Sequence, residues 1–475
     1  MLYTEVLPHL PGRPTLTVAA IPAHDEVSMV LRRCRAAWLP ACLSALCLQA
    51  QPTSMPQAPP AAVAAAAPGL LSDKPLWSAK ATGGMPGLVV GQDAVVLRYG
   101  DTLKRLNLAD GAELWSVAVD GYPVREEDGL LFLMNAQYEL TCLDARTGQQ
   151  AWKAPIVKEG DAGFGRGNLV VIRGGLKGPV VAGDKVLVGT FGGSFFKGRT
   201  GKLYAYDRKD GKLLWSFEAE DGVENPPVVH QGLVLFGGIA ACYGVDLATG
   251  KQVWKAGTRS DNQWMFKVAG DTLLMSAGHY GAQQSAFGGT LYAFEAATGR
   301  PRWKYDIGGP SLLRVEVDRL VGIEWGMMGG TRLTCLNLAT GTQAWEYKEK
   351  SSAWPVVHEG KVIYITKDNR IHVVDLASGK AGSPIPAAGD FQMGFFKGPW
   401  GRFLDPVVLQ GQAVVGSWDK AKKESILQIL DAKQAKVAQE RRLPGEIWAF
   451  WDRKDLLVAL IKEGEAAWSL QVFGR

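Results

Sequence analysis

The chain has 475 residues, of which 47% are hydrophobic, and this apolar content excludes an intrinsically disordered protein. Its net charge of +5 is small and is concentrated in residues 420–442, which hold seven Lys and Arg against three Asp and Glu. This balance does not predict a nucleic-acid partner; we interpret the basic segment as a solvated edge, with an acidic partner or a lipid surface as the alternative.

The N-terminal region has the order of a secretory signal. An apolar run at 36–50 follows Arg32, Arg33 and Arg35, and it is too short to span a bilayer. The run therefore predicts export, with a disordered cytosolic tail as the alternative.

The position of this signal is unusual because it starts well inside the chain. We interpret Met29 as the true start, so that residues 1–50 form a mis-started leader plus signal peptide. Residues 51–74 are rich in Ala and Pro and are predicted to be a linker. The folded domain is then expected over residues 75–475.

The cysteines divide into two groups. Cys34, Cys42 and Cys47 lie in the leader, and Cys42 and Cys47 are candidates for lipid attachment, although Pro40 fits a lipoprotein processing site poorly. Cys142, Cys242 and Cys335 lie one per repeat and are expected to be buried without forming disulfides.

A short motif recurs along most of the chain. In residues 245–254, Asp246 is followed by Thr249-Gly250 and then by Trp254. An Asp side chain can bond backbone N–H groups two residues on, and Gly accepts the left-handed conformation that ends a tight turn. The motif therefore predicts a β-hairpin.

Copies of the motif repeat about every forty residues, a period that indicates a solenoid or a propeller. The expected structural tryptophans are Trp77, Trp115, Trp152, Trp215, Trp254, Trp303 and Trp345. The expected turn glycines are Gly111, Gly148, Gly211, Gly250, Gly299, Gly341 and Gly379. The motif then decays, since Ser383 replaces one Trp and the next copy has Ala435 and Gln439.

Each repeat contains apolar strands separated by Gly and Pro turns and lacks an amphipathic helix pattern. The sequence therefore predicts an all-β fold, a β-propeller of eight or nine four-stranded antiparallel blades. Trp77 lies in a fourth strand with no first three before it, whereas the C-terminus supplies three strands without a fourth. We expect the strand at Trp77 to pair with Gln471–Phe473 and close the ring.

Insertions between the second and third strands of a blade should lie on one face. Loops on a rigid scaffold often carry binding residues. We therefore predict that residues in two such insertions contact a partner: Phe195, Phe196, Arg199, His279 and Tyr280.

Catalytic and metal-binding signatures are weak. The six His residues are scattered, and His279 has no partner at metal-ligand spacing. The chain has no Gly-x-Ser-x-Gly nucleophile motif. No catalytic, cofactor-binding or metal-binding residue is therefore predicted.

The hairpin motif with its terminal Trp resembles the tryptophan-docking repeat of the PQQ-type β-propellers over residues 75–475. The resemblance implies one of two functions. The first is a non-enzymatic BamB-like scaffold in the cell envelope, periplasmic or associated with the outer membrane. Such a scaffold would be a monomer that binds an envelope protein, with the β-barrel assembly machinery as the candidate partner. It would reach the membrane through that partner or a lipid anchor. The alternative is a dehydrogenase or ligand-binding propeller that uses PQQ and calcium, although this chain lacks the adjacent Cys-Cys pair of that branch.

Overall fold

The computed structural model describes residues 71–474 with internal gaps. The gaps are residues 83–85, 136–138, 157–178, 191, 195–197, 221, 224, 239, 259–261, 280–287, 308–312, 325–331, 349–354, 367 and 391–405. The described residues belong to one compact unit and contain β-strands but no α-helix. Accordingly, this part of the chain offers no helix with the length and apolarity needed to cross a membrane.

The described residues form nine antiparallel sheets, here called blades 1 to 9. The first strand, β1 (Trp77–Thr82), belongs to blade 9. Blade 1 contains β2 (Gly87–Val90), β3 (Ala94–Tyr99), β4 (Thr102–Asn107) and β5 (Glu113–Ala118). Blade 2 contains β6 (Tyr122–Glu127), β7 (Leu130–Met134), β8 (Glu139–Asp144) and β9 (Gln150–Pro155). Blade 3 contains β10 (Val180–Ala182), β11 (Lys185–Gly189), β12 (Gly192–Ser194), β13 (Gly198–Asp207) and β14 (Leu213–Ala219).

Blade 4 contains β15 (Val228–His230), β16 (Leu233–Gly237), β17 (Ala241–Asp246) and β18 (Gln252–Gly257). Blade 5 contains β19 (Asn262–Ala269), β20 (Thr272–His279), β21 (Gly288–Glu295) and β22 (Pro301–Ile307). Blade 6 contains β23 (Leu313–Glu316), β24 (Arg319–Glu324), β25 (Arg332–Asn337) and β26 (Gln343–Tyr347). Blade 7 contains β27 (Val356–His358), β28 (Lys361–Ile365), β29 (Arg370–Asp375) and β30 (Ile385–Pro386). Blade 8 contains β31 (Val407–Leu409), β32 (Gln412–Asp419), β33 (Glu424–Asp431) and β34 (Lys436–Pro444). Blade 9 contains β35 (Glu446–Arg453), β36 (Leu456–Lys462) and β37 (Ala467–Phe473), and β1 is its fourth strand.

The blades follow one another around a β-propeller, so the all-β prediction is confirmed. The first strands of neighbouring blades contact each other, as β2 contacts β6 and β31 contacts β35. Of the two predicted blade numbers, the described residues support nine. Blade 3 differs from the four-stranded prediction because β12 pairs with the first residues of β13 as a short extra hairpin.

The repeated turn forms for local chemical reasons. Asp246 Oδ1 accepts hydrogen bonds from Thr249 N at 2.7 Å and from Thr249 Oγ1 at 2.6 Å. The Gly250 amide donates to Asp246 O at 2.9 Å, and Gly250 has φ of 71°, in the region that Gly enters without a Cβ clash. This turn joins the third strand of a blade to the fourth.

Each docking Trp lies on the fourth strand of one blade and contacts this turn in the next blade. Its ring covers the turn glycine, and its indole N–H usually donates to the carbonyl of the residue after the turn acid. The recorded bonds are Trp77 to Leu108 at 2.8 Å, Trp115 to Ala145 at 2.9 Å, Trp152 to Arg208 at 2.8 Å, Trp215 to Leu247 at 3.1 Å, Trp303 to Leu338 at 3.0 Å and Trp345 to Leu376 at 2.9 Å. The glycines under the rings are Gly111, Gly148, Gly211, Gly250, Gly299, Gly341 and Gly379.

The hydrophobic core lies between neighbouring blades. One cluster joins Val96 and Leu103 of blade 1 to Leu131 and Leu133 of blade 2, and all four side chains are almost completely buried. Similar clusters occur at other junctions. Each blade is therefore stabilised mainly by apolar contact with its two neighbours.

The ring closes where the sequence predicts. Strand β1 pairs antiparallel with β37, and the register places Trp77 opposite Val472 and Ser78 opposite Gln471. The last blade thus combines three C-terminal strands with one N-terminal strand.

Candidate functional site

Strand order divides the propeller into two faces. Because each strand runs opposite to the one before it, the turns after the first and third strands lie on one face, here called the hairpin face. The connections after the second and fourth strands lie on the opposite face, here called the loop face. The predicted partner-binding insertions belong to the loop face.

The structure places part of the predicted site. Phe195, Phe196 and Tyr280 lie outside the described residues. The backbone of Arg199 pairs with Gly193 in blade 3, and the backbone of His279 ends β20 in blade 5, opposite Gly288. Arg199 and His279 therefore share a face but belong to blades separated by blade 4.

A polar cluster supports the loop face at blade 2. Asn135 is buried, and its Nδ2 donates to Asp120 Oδ2 at 3.0 Å and to Glu139 Oε2 at 2.6 Å. Lys153 Nζ lies 2.6 Å from Glu139 Oε2. Hydrogen bonds from Lys153, then from Asn135, lower the pKa of Glu139, so this carboxylate stays ionised at neutral pH.

An exposed aromatic residue lies on the same face. Tyr122 begins β6 and is 58% exposed, and the guanidinium carbon of Arg98 lies 4.1 Å from the centre of its ring. Arg98 Nε also donates to Gly100 O at 2.7 Å, which fixes the guanidinium over the ring. The sequence interpretation missed this pair because its residues come from different blades, although Gly121-Tyr122 at a strand start was a visible signal.

The connection between blades 7 and 8 is anchored beside blade 8 on the loop face. Asp390 exchanges two backbone hydrogen bonds with Trp418, at 2.9 and 3.0 Å, and Asn369 Nδ2 donates to Asp390 Oδ1 at 2.7 Å. Gly389 fits against the Trp418 backbone, where a Cβ would lie 2.9 Å from the Trp418 carbonyl. Gly389 and Asp390 are therefore held on this face.

Among the described contacts, three of the seven basic residues in the segment 420–442 form ion pairs with acids: Lys433, Arg441 and Arg442. Arg442 contacts Glu440 at 2.9 Å and Asp419 at 3.4 Å, and Lys433 contacts Glu359 of blade 7 at 3.1 Å. Hydrogen bonds from the Lys422 backbone, and then from Arg442, lower the pKa of Asp419. This pairing agrees with a solvated, salt-bridged edge, and such exposed pairs contribute little to stability.

Burial sets the protonation state of the described cysteines. Cys142, Cys242 and Cys335 are buried and free, and burial raises their thiol pKa values to about 12, about 12 and about 11. Their thiols are therefore protonated and inert at neutral pH. Within the described part of the chain, no group of His, Cys, Asp and Glu is arranged to hold a metal ion.

The nine blades, with a Trp docked on a turn glycine at seven of the described junctions, define a PQQ-type β-propeller built from tryptophan-docking repeats. Within this class, the chain belongs to the family described as outer membrane protein assembly factor BamB. The family pattern matches residues 61–172, 136–324, 240–391 and 318–475.

Individual relatives match over shorter spans. The outer membrane protein assembly factor BamB of Burkholderia pseudomallei is 29% identical over 272 residues, which are 54% of this chain and 63% of that protein. The match thus spans less than two thirds of that relative. The quinohemoprotein alcohol dehydrogenase ADH-IIG of Pseudomonas putida is 26% identical over 132 residues, 24% of this chain and 18% of the enzyme. The crystal structure of BamB from Moraxella catarrhalis aligns with a TM-score of 0.49 at 14% identity, covering 86% of this chain and all of that one.

Proposed function

We propose that this protein is a non-enzymatic scaffold of the cell envelope that presents its loop face to a protein of the β-barrel assembly machinery. The observation that carries the proposal is membership of the assembly-factor family across residues 61–475. The proposal places the protein outside the cytoplasm, in the periplasm or at the outer membrane. In this role the protein would need no cofactor and would act as a monomer.

The fold suits a scaffold because its core and its surface insertions are separate. The tryptophan docks hold neighbouring blades together through the hairpin turns, as at Trp115 and Ala145, and so from the hairpin face. A rigid frame lets loops bind with a small loss of conformational entropy. Exposed Tyr122, held by Arg98, supplies an aromatic side chain of the kind that dominates protein interfaces.

A binding assay with the purified central subunit of the assembly machinery tests this function. We expect the full-length chain to bind, and we expect combined Ala substitution of Phe195, Phe196 and Arg199 to weaken binding about tenfold or more, as for aromatic and Arg residues at interface centres. Tyr122→Ala tests the described part of the same face and should also weaken binding.

The matched control lies on the opposite face of blade 3. Lys209 and Lys212 are exposed beside the hairpin turn, so Ala at both positions should leave binding unchanged. Equal binding by the loop-face and hairpin-face variants would contradict the assignment of the loop face. Failure of the unaltered chain to bind would contradict the proposed partner.

The match to a quinohemoprotein dehydrogenase favours a second candidate function, in which the propeller binds PQQ and calcium on its loop face. A ligand that binds only the folded state raises the melting temperature. Thermal unfolding with saturating PQQ and calcium, followed together with PQQ absorbance, separates the two candidates. An unchanged melting temperature would rule out the dehydrogenase reading.

A further inference from the structure

Blade 8 is held differently from its neighbours. In the described residues, seven of the nine junctions between blades contain a docked Trp, and both exceptions border blade 8. Ser383 occupies the Trp position between blades 7 and 8, and Gln439 occupies it between blades 8 and 9. On the blade 7 side, the main chain approaches instead, so that a Cβ on Gly382 would lie 3.8 Å from Ala435 Cβ.

The junction between blades 8 and 9 lacks a Trp for a topological reason. Every docking Trp rests on the turn between the third and fourth strands of the next blade. In blade 9 the third strand ends at Phe473 and the fourth begins at Trp77, so the two chain segments are not joined by a turn. A Trp at position 439 would have no such turn to cover.

The segment just before β1 occupies the place of that turn. Gln439 Nε2 donates to Leu71 O at 3.0 Å, and Leu71 N donates to Gln439 Oε1 at 3.0 Å. Arg441 Nη2 also donates to Leu71 O, at 2.8 Å. Ser72 N donates to Gly474 O at 2.8 Å, which ties the segment to the end of β37. The Leu71 carbonyl thus accepts a hydrogen bond from the Trp position, as turn carbonyls do at six other junctions.

The Leu71 side chain also fills the apolar space of this junction. It is 6% exposed and belongs to a core cluster with Leu443 of blade 8 and with Ile447 and Phe473 of blade 9. The sequence places Leu71 in the predicted linker 51–74, but its backbone and side chain are both bound to the propeller. Backbone hydrogen bonding and burial therefore act together at this one residue.

We propose that residues 71–76 are a non-covalent docking turn, here called the clasp, that holds blade 9 against blade 8 and opens independently of the rest of the ring. The clasp joins residues 368 positions apart in the chain, so opening releases a segment without breaking a local hairpin. At this junction the Trp position holds Gln439, whose side chain is smaller and more polar than the indole that is buried at the other docks. These features lower the cost of local opening relative to a junction held by a docked Trp.

Hydrogen exchange followed by mass spectrometry on the full-length chain tests the clasp. In the unaltered protein, amides of residues 71–76 should exchange faster than those of β3 and β4 in blade 1. Gln439→Met keeps the side-chain volume but removes both amide hydrogen bonds, so exchange at residues 71–76 should rise by about fivefold or more, the factor that one lost hydrogen bond of ordinary strength gives. Exchange in blade 1 should not change.

Two further variants complete the test. Leu71→Pro removes the N–H that Gln439 accepts and should accelerate exchange over residues 72–76. Ser72→Ala is the matched control, because the Ser72 hydroxyl donates to Lys74 O and not to blade 8. Unchanged exchange at residues 71–76 in Gln439→Met, or the same acceleration in every blade, would overturn the proposal.

Discussion

A Cβ atom decides which residue fits the turn under each docking Trp. At Gly250 an added Cβ would lie 2.6 Å from Trp215 Cδ2, closer than packed atoms allow, and the backbone φ there is 71°. Ala435 takes the same turn position in blade 8 with φ of 48°, but the preceding blade has Ser383 instead of Trp. Loss of the Trp therefore removes the steric demand for Gly.

We predict that Gly250→Ala lowers the free energy of unfolding by about 2–4 kcal/mol, through overpacking and left-handed strain. Ala435→Gly should change it by less than about 1 kcal/mol, since relief of strain offsets the added freedom of the unfolded chain. Urea denaturation of both variants measures the difference. Similar losses in the two variants would show that ring contact does not select Gly.

The turn carboxylate of blade 7 predicts a specific dependence on pH. Hydrogen bonds from Ser378, and then from Lys361, lower the pKa of Asp375 from 3.8 to about 2. Because the folded-state pKa lies below the unfolded value, the stabilisation is complete above pH 3.8 and is lost as pH falls toward 2. Asn can replace the acid in this turn, since Asn337 Oδ1 accepts the Ala339 N–H at 2.9 Å in blade 6.

Asp375→Asn should therefore keep the turn while removing this titration. We expect the unaltered protein to have the higher melting temperature at neutral pH, and the difference between the two proteins to shrink as pH falls from 4 to 2. Melting curves across this range provide the measurement. A difference that stays constant with pH would contradict the assignment to Asp375.

At the scale of the blade junction, the indole N–H and the indole ring contribute separately. Trp115 Nε1 donates to Ala145 O at 2.9 Å, whereas the buried Trp254 Nε1 has no hydrogen-bond partner among the described residues. Both rings cover a turn glycine, Gly148 and Gly299 respectively. The two junctions therefore differ mainly in one hydrogen bond.

We predict that Trp115→Phe costs about 1–2 kcal/mol more than Trp254→Phe, because only the first leaves a buried carbonyl without its donor. Trp115→Ala should cost more again, about 3–5 kcal/mol, through the cavity it leaves. Chemical denaturation of the three variants tests this order. If the two Phe variants lose the same free energy of unfolding, then the indole hydrogen bond contributes nothing and ring packing alone stabilises the junction.

The strands were predictable where their sequence carries a local motif. Asp246, Gly250 and Trp254 encode a turn and its neighbour contact within ten residues, and the pairing of Trp77 with Val472 followed from counting incomplete blades. Strand β12 was missed because Gly192 and Gly193 provide no alternating apolar pattern.

The candidate site was less predictable than the fold. Residues such as Tyr122 and Arg98 become neighbours only through the packing of blade 1 against blade 2. The burial of Leu71 likewise depends on Gln439, far away in the sequence, and no periodic pattern surrounds it. The assigned loop residues Phe195, Phe196 and Tyr280 remain predictions, as do the side-chain roles of Arg199 and His279.

The whole ring depends on bringing the two ends of the propeller together. Ser72 N donates to Gly474 O at 2.8 Å, so a short linker could join these ends without disturbing either strand. New ends could be placed at Gly183 and Asp184, which form an exposed turn in blade 3. Exposed turns of this kind usually tolerate chain breaks.

We therefore predict that a circular permutant of residues 71–475, joined by a Gly-rich linker and opened between Gly183 and Asp184, folds with a melting temperature close to that of the same residues in native order. Circular dichroism and thermal unfolding provide the measurement. The control is the chain opened at the same turn without the linker. If the opened chain without the linker folds and the permutant does not, then joining residues 475 and 71 prevents blade 9 from forming, and the prediction is wrong.

The pairing of the first strand with the last also sets an order of events during protein synthesis. The ribosome releases β1 long before β37 exists, so Trp77 and the backbone edge of β1 must wait for nearly the whole chain. Throughout that wait the nascent protein exposes an unpaired strand and an indole, both of which favour aggregation. We therefore expect the chain to be most prone to aggregation before β37 is available to pair with β1.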